Sequence, residues 1–345
     1  MSEYDGSQVV GIDLHRRRSV IVRRSATGER LGVRRIVNDP VELMAEIGKA
    51  GPSPEVVVEA TYGWYWAADA LAEAGARVHL AHPLGVKGFT YRRVKNDVRD
   101  ASDLADLLRM GRLPEAWIAP PAVRELRELV RHRVKLVQWR SGLKASVHAV
   151  LAKQGVHIPV SDVFGVRGRL LLKQVRLDAP YRARVNSLCR LIEAVNFEID
   201  LAAQLITRRL AHDRGYRVIQ QLPGVGPVLA AVLVAEIGEV TRFTSARHLC
   251  SWAGLTPRHR ESDATVHRGR VTKQGSPLLR WAAIEAVQKM PADAGWLVST
   301  REQIAARRGR QIATVAVARK LLTLIFYGLR DGHIRALQQP RREAG

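Results

Sequence analysis

Cysteine is scarce in this sequence: Cys189 and Cys250 are the only two in 345 residues. Each stands alone in an apolar, helix-patterned context, so neither a disulfide framework nor a Cys-based zinc site is supported, and buried thiols are expected. Acidic residues are short as well. Against 55 Lys and Arg there are 33 Asp and Glu, a net charge of +22. That exceeds what solubility requires and has the sign that attracts phosphate polymers, so nucleic acid is the expected partner. Uninterrupted apolar runs of membrane-spanning length are missing, and Met1 to Arg18 lacks the apolar stretch and cleavage site of a signal peptide. No membrane partner is expected, and the cytoplasm is the expected location. What the chain does have is 46% hydrophobic residues, enough for two or three domains with their own cores and too many for a disordered tail.

The first hundred residues alternate strand and helix signals. QVVGIDLH, SVIVRRS and ERLGVRRIV are β-type runs with short connections, which favour an antiparallel meander. Asn38-Asp39-Pro40 offers a helix cap before VELMAEIGKAG. EVVVEAT then reads as a buried strand, YWAADALAEAG as a helix stopped by Gly75, and ARVHLAHP as a further strand. The order β-β-β-α-β-α-β plus a helix is that of a ribonuclease-H-like (RuvC-like) mixed sheet. Asp13 ends the first strand and Glu59 the strand after the first helix; Asp97 and Asp100, three apart, share a helix face. Four converging carboxylates repel one another unless a divalent cation sits among them, and Mg²⁺ (or Mn²⁺) is the expected guest. Each acid alone also reads as a structural or solvated residue, and Asp103 and Asp106 are left outside the site. An actin-like ATPase also opens with a strand ending in Asp, but it needs a glycine-rich phosphate hairpin there, and Leu14 to Arg18 contains no glycine.

The composition changes after Pro120. Between Arg124 and Lys144 stand seven Lys or Arg against two Glu, among apolar residues at helical spacing, with Arg131, Arg133 and Lys135 in the middle. A second helical run from Val185 to about Leu210 folds back on the first in the expected arm, which dimerises and holds nucleic acid; a solvated coiled pair is the plainer alternative. LPGVGPVLAA places a tight turn between apolar helical runs, the pattern of a helix-hairpin-helix. Gly224 and Gly226 are expected to let backbone N–H groups approach a phosphate without reading bases. A basic loop follows, carrying Arg258, Arg260, Arg268, Arg270, Lys273 and Ser262. A serine becomes a nucleophile only with a base to take its proton and cations to stabilise the phosphate charge, and the arginines and a metal meet the second need. Ser245 and Ser276 stand at helix starts and Ser251 within a helix, which leaves Ser262 without a structural role.

With both halves in view, the chain resembles the DEDD-type insertion-sequence transposases, the bridge-RNA-guided serine recombinases. GIDLH, VVVEAT and KNDVRDASDLA resemble the family's RuvC-like motifs. LPGVGPVLAAVLVAEIG, CSWAGLTPRHRES and KQGSPLLRWA resemble its C-terminal transposase motifs, and TVAVARKLLTLIFYGLRDG its terminal helix. The resemblance implies a metal-binding quartet of Asp13, Glu59, Asp97 and Asp100, and Ser262 as the nucleophile that forms a transient phosphoserine with a cut DNA strand. It implies partners too: double-stranded DNA, a structured guide RNA, and copies of the chain as a homodimer or tetramer that shares its sites between protomers, in the bacterial cytoplasm on the nucleoid. Where the family usually has glycine after the serine, this chain has Asp263. The expected division is a RuvC-like domain at 1–115, a helical arm at 116–212, a helical transposase domain at 213–335 and a disordered tail at 336–345. Two rival functions remain open: a RuvC-like junction endonuclease in which water attacks, and a non-catalytic architectural DNA-binding protein.

Overall fold

A computed structural model describes residues 6–89, 96–262 and 265–337, apart from the side chains of Arg260, Ser262, Val266, His267 and Arg268. The chain divides into two compact units, Met1–Ala119 and Pro120–Gly345. In the first, the Val- and Ile-rich runs form β1 (Gln8–Leu14), β2 (Arg18–Ser25) and β3 (Arg30–Val37), joined antiparallel in sequence as their short connections require. Asp39 caps α1 (Pro40–Gly48), accepting hydrogen bonds from the N–H groups of Val41 and Glu42. Next come β4 (Glu55–Glu59), α2 (Trp64–Glu73), β5 (Arg77–Ala81), a short α3 (Pro83–Val86), α4 (Asp97–Arg109) and β6 (Glu115–Ala116). The sheet order is β3-β2-β1-β4-β5-β6, with β4 parallel to both β1 and β5. This is the mixed, ribonuclease-H-like sheet expected from the sequence, to which α3 and the two-residue β6 are additions.

Side chains alternate across a strand, so the two faces of this sheet have different partners. Val10, Ile12, Leu14, Val56 and Val58 pack under α1 and α2 with Leu43, Ile47 and Leu71. On the opposite face Val20, Val22 and Val57 meet Ala101, Leu104 and Leu107 of α4. Helix α4 comes unusually near β1: a Cβ at Gly11 would lie 1.9 Å from the Ala101 carbonyl oxygen. Only glycine admits that approach.

The second unit consists of α5 (Pro121–Lys153), α6 (Val166–Gln174), α7 (Ala179–Leu210), α8 (Arg214–Ile219), α9 (Pro227–Ile237), α10 (Ala246–Trp252), the strands β7 (Pro257–Ser262) and β8 (Thr265–Val271), α11 (Pro277–Gln288), α12 (Trp296–Arg308) and α13 (Arg310–Asp331). Helices α5 and α7 run antiparallel as the arm. Val147 clusters with Val185 and Ile192, and Leu136 with Ile199 and Ala202. At the arm's base Leu126, Val130, Ile206 and Leu210 join the core built around α9, α11 and α13. Of the segments expected at 116–212 and 213–335, all but 116–119 lie in one compact unit, and they meet in one core at the arm's base. Helix α13 is long and apolar enough to cross a membrane by length and composition. Its Ala313, Val317, Leu321, Leu322, Ile325 and Phe326 are buried in that core.

The basic segment expected as a loop is instead an antiparallel β-hairpin, paired from Pro257–Val271 to Ser262–Thr265. Its charged residues give no apolar alternation, yet a ladder of backbone hydrogen bonds needs no apolar side chains. Cys250 is buried as expected, whereas Cys189 on α7 is only half-buried. Burial raises both thiol pKa values. Of the expected tail, 338–345 lies outside the described residues.

Candidate functional site

Strand β1 and helix α4 meet where the acids are. The last ladder pair between β1 and β4 is Ile12–Val58, so Asp13 and Glu59 each follow by one residue at the same sheet edge. Both stand on the α4 side by alternation. They line one open cleft of about 600 Å³ with His15, Arg16, Thr61 and Tyr62. Asn96 caps α4 by accepting from the Val98 N–H, and Asp97 and Asp100 occupy the first helical turn. There the helix dipole favours negative charge.

Geometry gathers some of these groups and not others. His15 Nε2 lies 3.1 Å from Asp13 Oδ2 and 3.4 Å from Asp97 Oδ1. One donor atom from each of Asp13, His15 and Asp97 falls within 4.8 Å of the other two. A single divalent cation can touch three donors so spaced, and the carboxylate-rich set suits a hard cation, so the residues present fit a metal. Glu59 joins through the cleft it shares with Asp13, while Asp100 stands half-buried one turn along α4. His15 is not among the residues expected at this site. The period-two rule finds it, since it follows Asp13 by two residues.

In the second unit, Ser262 closes β7 opposite Thr265. Its side chain, like those of Arg260 and Arg268, lies outside the described residues, as does Asp263. Arg258, Arg270 and Lys273 are exposed along the same hairpin. The root of the hairpin is clamped. Gly254 (φ +70°) and Gly275 (φ +64°) let the chain cross where any Cβ would strike Gln274 or Trp252 backbone, and Lys273 itself is held at φ +57°. Arg280 Nη1 donates to the carbonyls of Ala253, Gly275 and Gln274, tying both legs of the hairpin to α11. Nothing local in the sequence marks Arg280 for that positioning role.

Of the two glycines expected to face phosphate, Gly224 (φ +81°) is occupied by packing: a Cβ there would stand 2.0 Å from the Ala286 carbonyl of α11. Gly226 has open space about it and begins α9 without a side-chain cap. On the arm, Lys135 is exposed and lies 5.9 Å over the exposed Trp139 ring. Arg133 is half-buried, its pKa lowered by burial and by the neighbouring Arg140. Arg131, expected at the nucleic-acid surface, instead grips Glu236 with two hydrogen bonds of 2.8 and 3.0 Å. The reason is electrostatic: Glu236 is 2% exposed in α9 and needs a cation close by.

A transposase family model, of the DEDD type of IS110, matches residues 10–154, and the model described as "Transposase IS116/IS110/IS902 family" matches residues 216–296. A "Probable family 20 transposase" of Pseudomonas aeruginosa is 28% identical over 76% of this chain and 79% of its own length. An "Insertion element IS116 uncharacterized 44.8 kDa protein" of Streptomyces clavuligerus is 26% identical over 93% of this chain and 94% of its own. A "Pilin gene-inverting protein" of Moraxella bovis is 31% identical over 33% of this chain and 36% of its own. In two separate stretches, then, the chain resembles transposases of the IS110/IS116/IS902 family.

Proposed function

We propose that this chain is an RNA-guided DNA recombinase of an insertion sequence, cutting and rejoining strands through a phosphoserine at Ser262. The observation that carries this reading is the meeting of Asp13 and Asp97 about one point at the end of β1. Asp13, Glu59, Asp97 and Asp100 would hold a divalent cation, Mg²⁺ or Mn²⁺, which neutralises charge on the scissile phosphate. Ser262 Oγ attacks that phosphate. The Oγ–P bond forms as one P–O ester bond of the DNA breaks, and the serine proton ends on the departing DNA hydroxyl. Reversal with a different strand's hydroxyl reseals DNA and restores the serine, so the ester's energy is conserved and no ATP is consumed. Arg258, Arg260, Arg268, Arg270 and Lys273, on or next to the serine's own hairpin in sequence, would supply the cations that phosphate charge needs.

The net charge of +22 supports a polyanionic partner. A structured guide RNA would choose the target by base pairing, while Gly226, Arg133 and Lys135 would hold backbone. The acids and the serine would come from different copies of the chain in a dimer or tetramer. Likeness to a gene-inverting protein favours strand exchange over simple hydrolysis. The test is covalent trapping on denaturing gels after incubation with DNA, guide RNA and Mg²⁺. A protein–DNA adduct is expected from the unaltered chain and none from Ser262→Ala. Cleavage that persists in Ser262→Ala would instead establish water as the nucleophile.

A further inference from the structure

We propose that His15 is a direct nitrogen ligand of the divalent cation and biases this site toward Mn²⁺ over Mg²⁺. The inference rests on the metal-site reading above and deepens it. Around a cation with bonds of about 2.1 Å, neighbouring octahedral donors stand ~3.0 Å apart. The His15 Nε2 distances to Asp13 Oδ2 and Asp97 Oδ1 are 3.1 and 3.4 Å. Hydrogen bonding explains that pair of distances less well: Nε2 carries at most one hydrogen, and two carboxylates compete for it. A shared cation satisfies all three groups at once.

The ring is also delivered there by a fixed backbone. His15 N–H donates to the Arg18 carbonyl at 3.2 Å, and its own carbonyl accepts from Asn38 Nδ2 at 2.6 Å. Asn38 in turn accepts from the hydroxyl of Ser19, which is buried in β2. The imidazole therefore stands on a braced turn directly after β1, at the mouth of the cleft it shares with Asp13 and Glu59. Half of the His15 side chain remains exposed. Water and a phosphate oxygen can therefore reach this end of the cleft.

Ligand chemistry sets the metal preference. Mg²⁺ takes oxygen donors and tolerates imidazole poorly, whereas Mn²⁺ accepts both. A nitrogen in an otherwise oxygen-rich set raises affinity for Mn²⁺ more than for Mg²⁺.

The experiment is pulsed electron paramagnetic resonance of Mn²⁺ bound to the full chain, with Mg²⁺ affinity measured by competition. The unaltered protein is expected to show ¹⁴N modulation from a coordinated imidazole. His15→Ala should abolish it while Mn²⁺ still binds, about tenfold more weakly, and Mg²⁺ affinity should change less. Mn²⁺ binding that is lost in Asp13→Asn but shows no ¹⁴N signal in the unaltered chain would overturn the His15 assignment and leave the carboxylate site standing. So would a ¹⁴N signal that survives His15→Ala. Failure of the unaltered chain to bind Mn²⁺, or binding indifferent to Asp13→Asn, would overturn the metal site itself.

Discussion

Glu236 shows how a single residue redirects a functional expectation. Burial in α9 pushes its carboxyl pKa up, but the Arg131 fork, with help from Ser276 and Arg127, outweighs burial and leaves it below the ordinary value of 4.5. Arg127 adds hydrogen bonds to the Ala235 and Glu236 carbonyls, so two arm cations close one end of α9. Removing Arg131 strands a buried carboxylate. Arg131→Ala is expected to cost about 2–4 kcal/mol, the lower part of the range for a broken buried pair because the arginine is half exposed. Chemical denaturation at neutral pH checks it. The sign with pH follows from the depressed value: the carboxylate's contribution is present above the ordinary pKa and lost as acid takes the pH through the folded value. Without its fork the variant's buried carboxyl takes up a proton at higher pH than the unaltered one, so the deficit should shrink as the pH falls toward and then below 4.5, until the unaltered chain loses the pair too. A deficit unchanged across that range would show that packing, not charge, accounts for the loss.

At the level of elements, the site depends on how close α4 comes to β1. Gly11→Ala places a methyl against the Ala101 carbonyl and forces the helix, with Asp97, away from Asp13. Such overpacking typically costs about 1–3 kcal/mol, and thermal stabilisation by Mn²⁺ should fall with it. Gly142→Ala, on an exposed stretch of α5 with nothing within 4 Å of the new methyl, is the control. It should be neutral or stabilise by up to about 1 kcal/mol. These two glycines also show what a sequence can and cannot tell. The strand order and the ends carrying Asp13 and Glu59 were legible, because apolar runs, short connections and the Asp39 cap are local signals. The approach of α4 was not, since nothing local marks Gly11 as the point where Ala101 will lie. The hairpin β7–β8 was missed for a related reason: its Arg-rich strands have no apolar face to betray a period of two, and Gly254, Gly275 and Arg280 act on residues distant in sequence. Of the rival serines, Ser245 and Ser276 cap α10 and α11, as their places at helix starts imply.

Over the whole molecule, the excess of 22 positive charges sets the law by which nucleic acid binds, and the structure divides those charges into committed and available ones. Arg131 and Arg280 are committed to partners inside the second unit. Lys135, Arg258, Arg270 and Lys273 are exposed on the arm and the hairpin. Each phosphate neutralised releases bound counterions, so the logarithm of affinity falls linearly with the logarithm of salt concentration, by ~0.9 for each contact with duplex DNA. Alanine at Lys135, Arg258 or Arg270 should each weaken binding uniformly across sequences and reduce that slope by ~1. Arg131→Ala, measured where it remains folded, should leave the slope unchanged. Fluorescence anisotropy on unrelated duplexes between low and moderate salt reads both quantities at once. Equal slopes for all four variants would mean that phosphate is held elsewhere on the chain and that the basic hairpin serves only to carry Ser262.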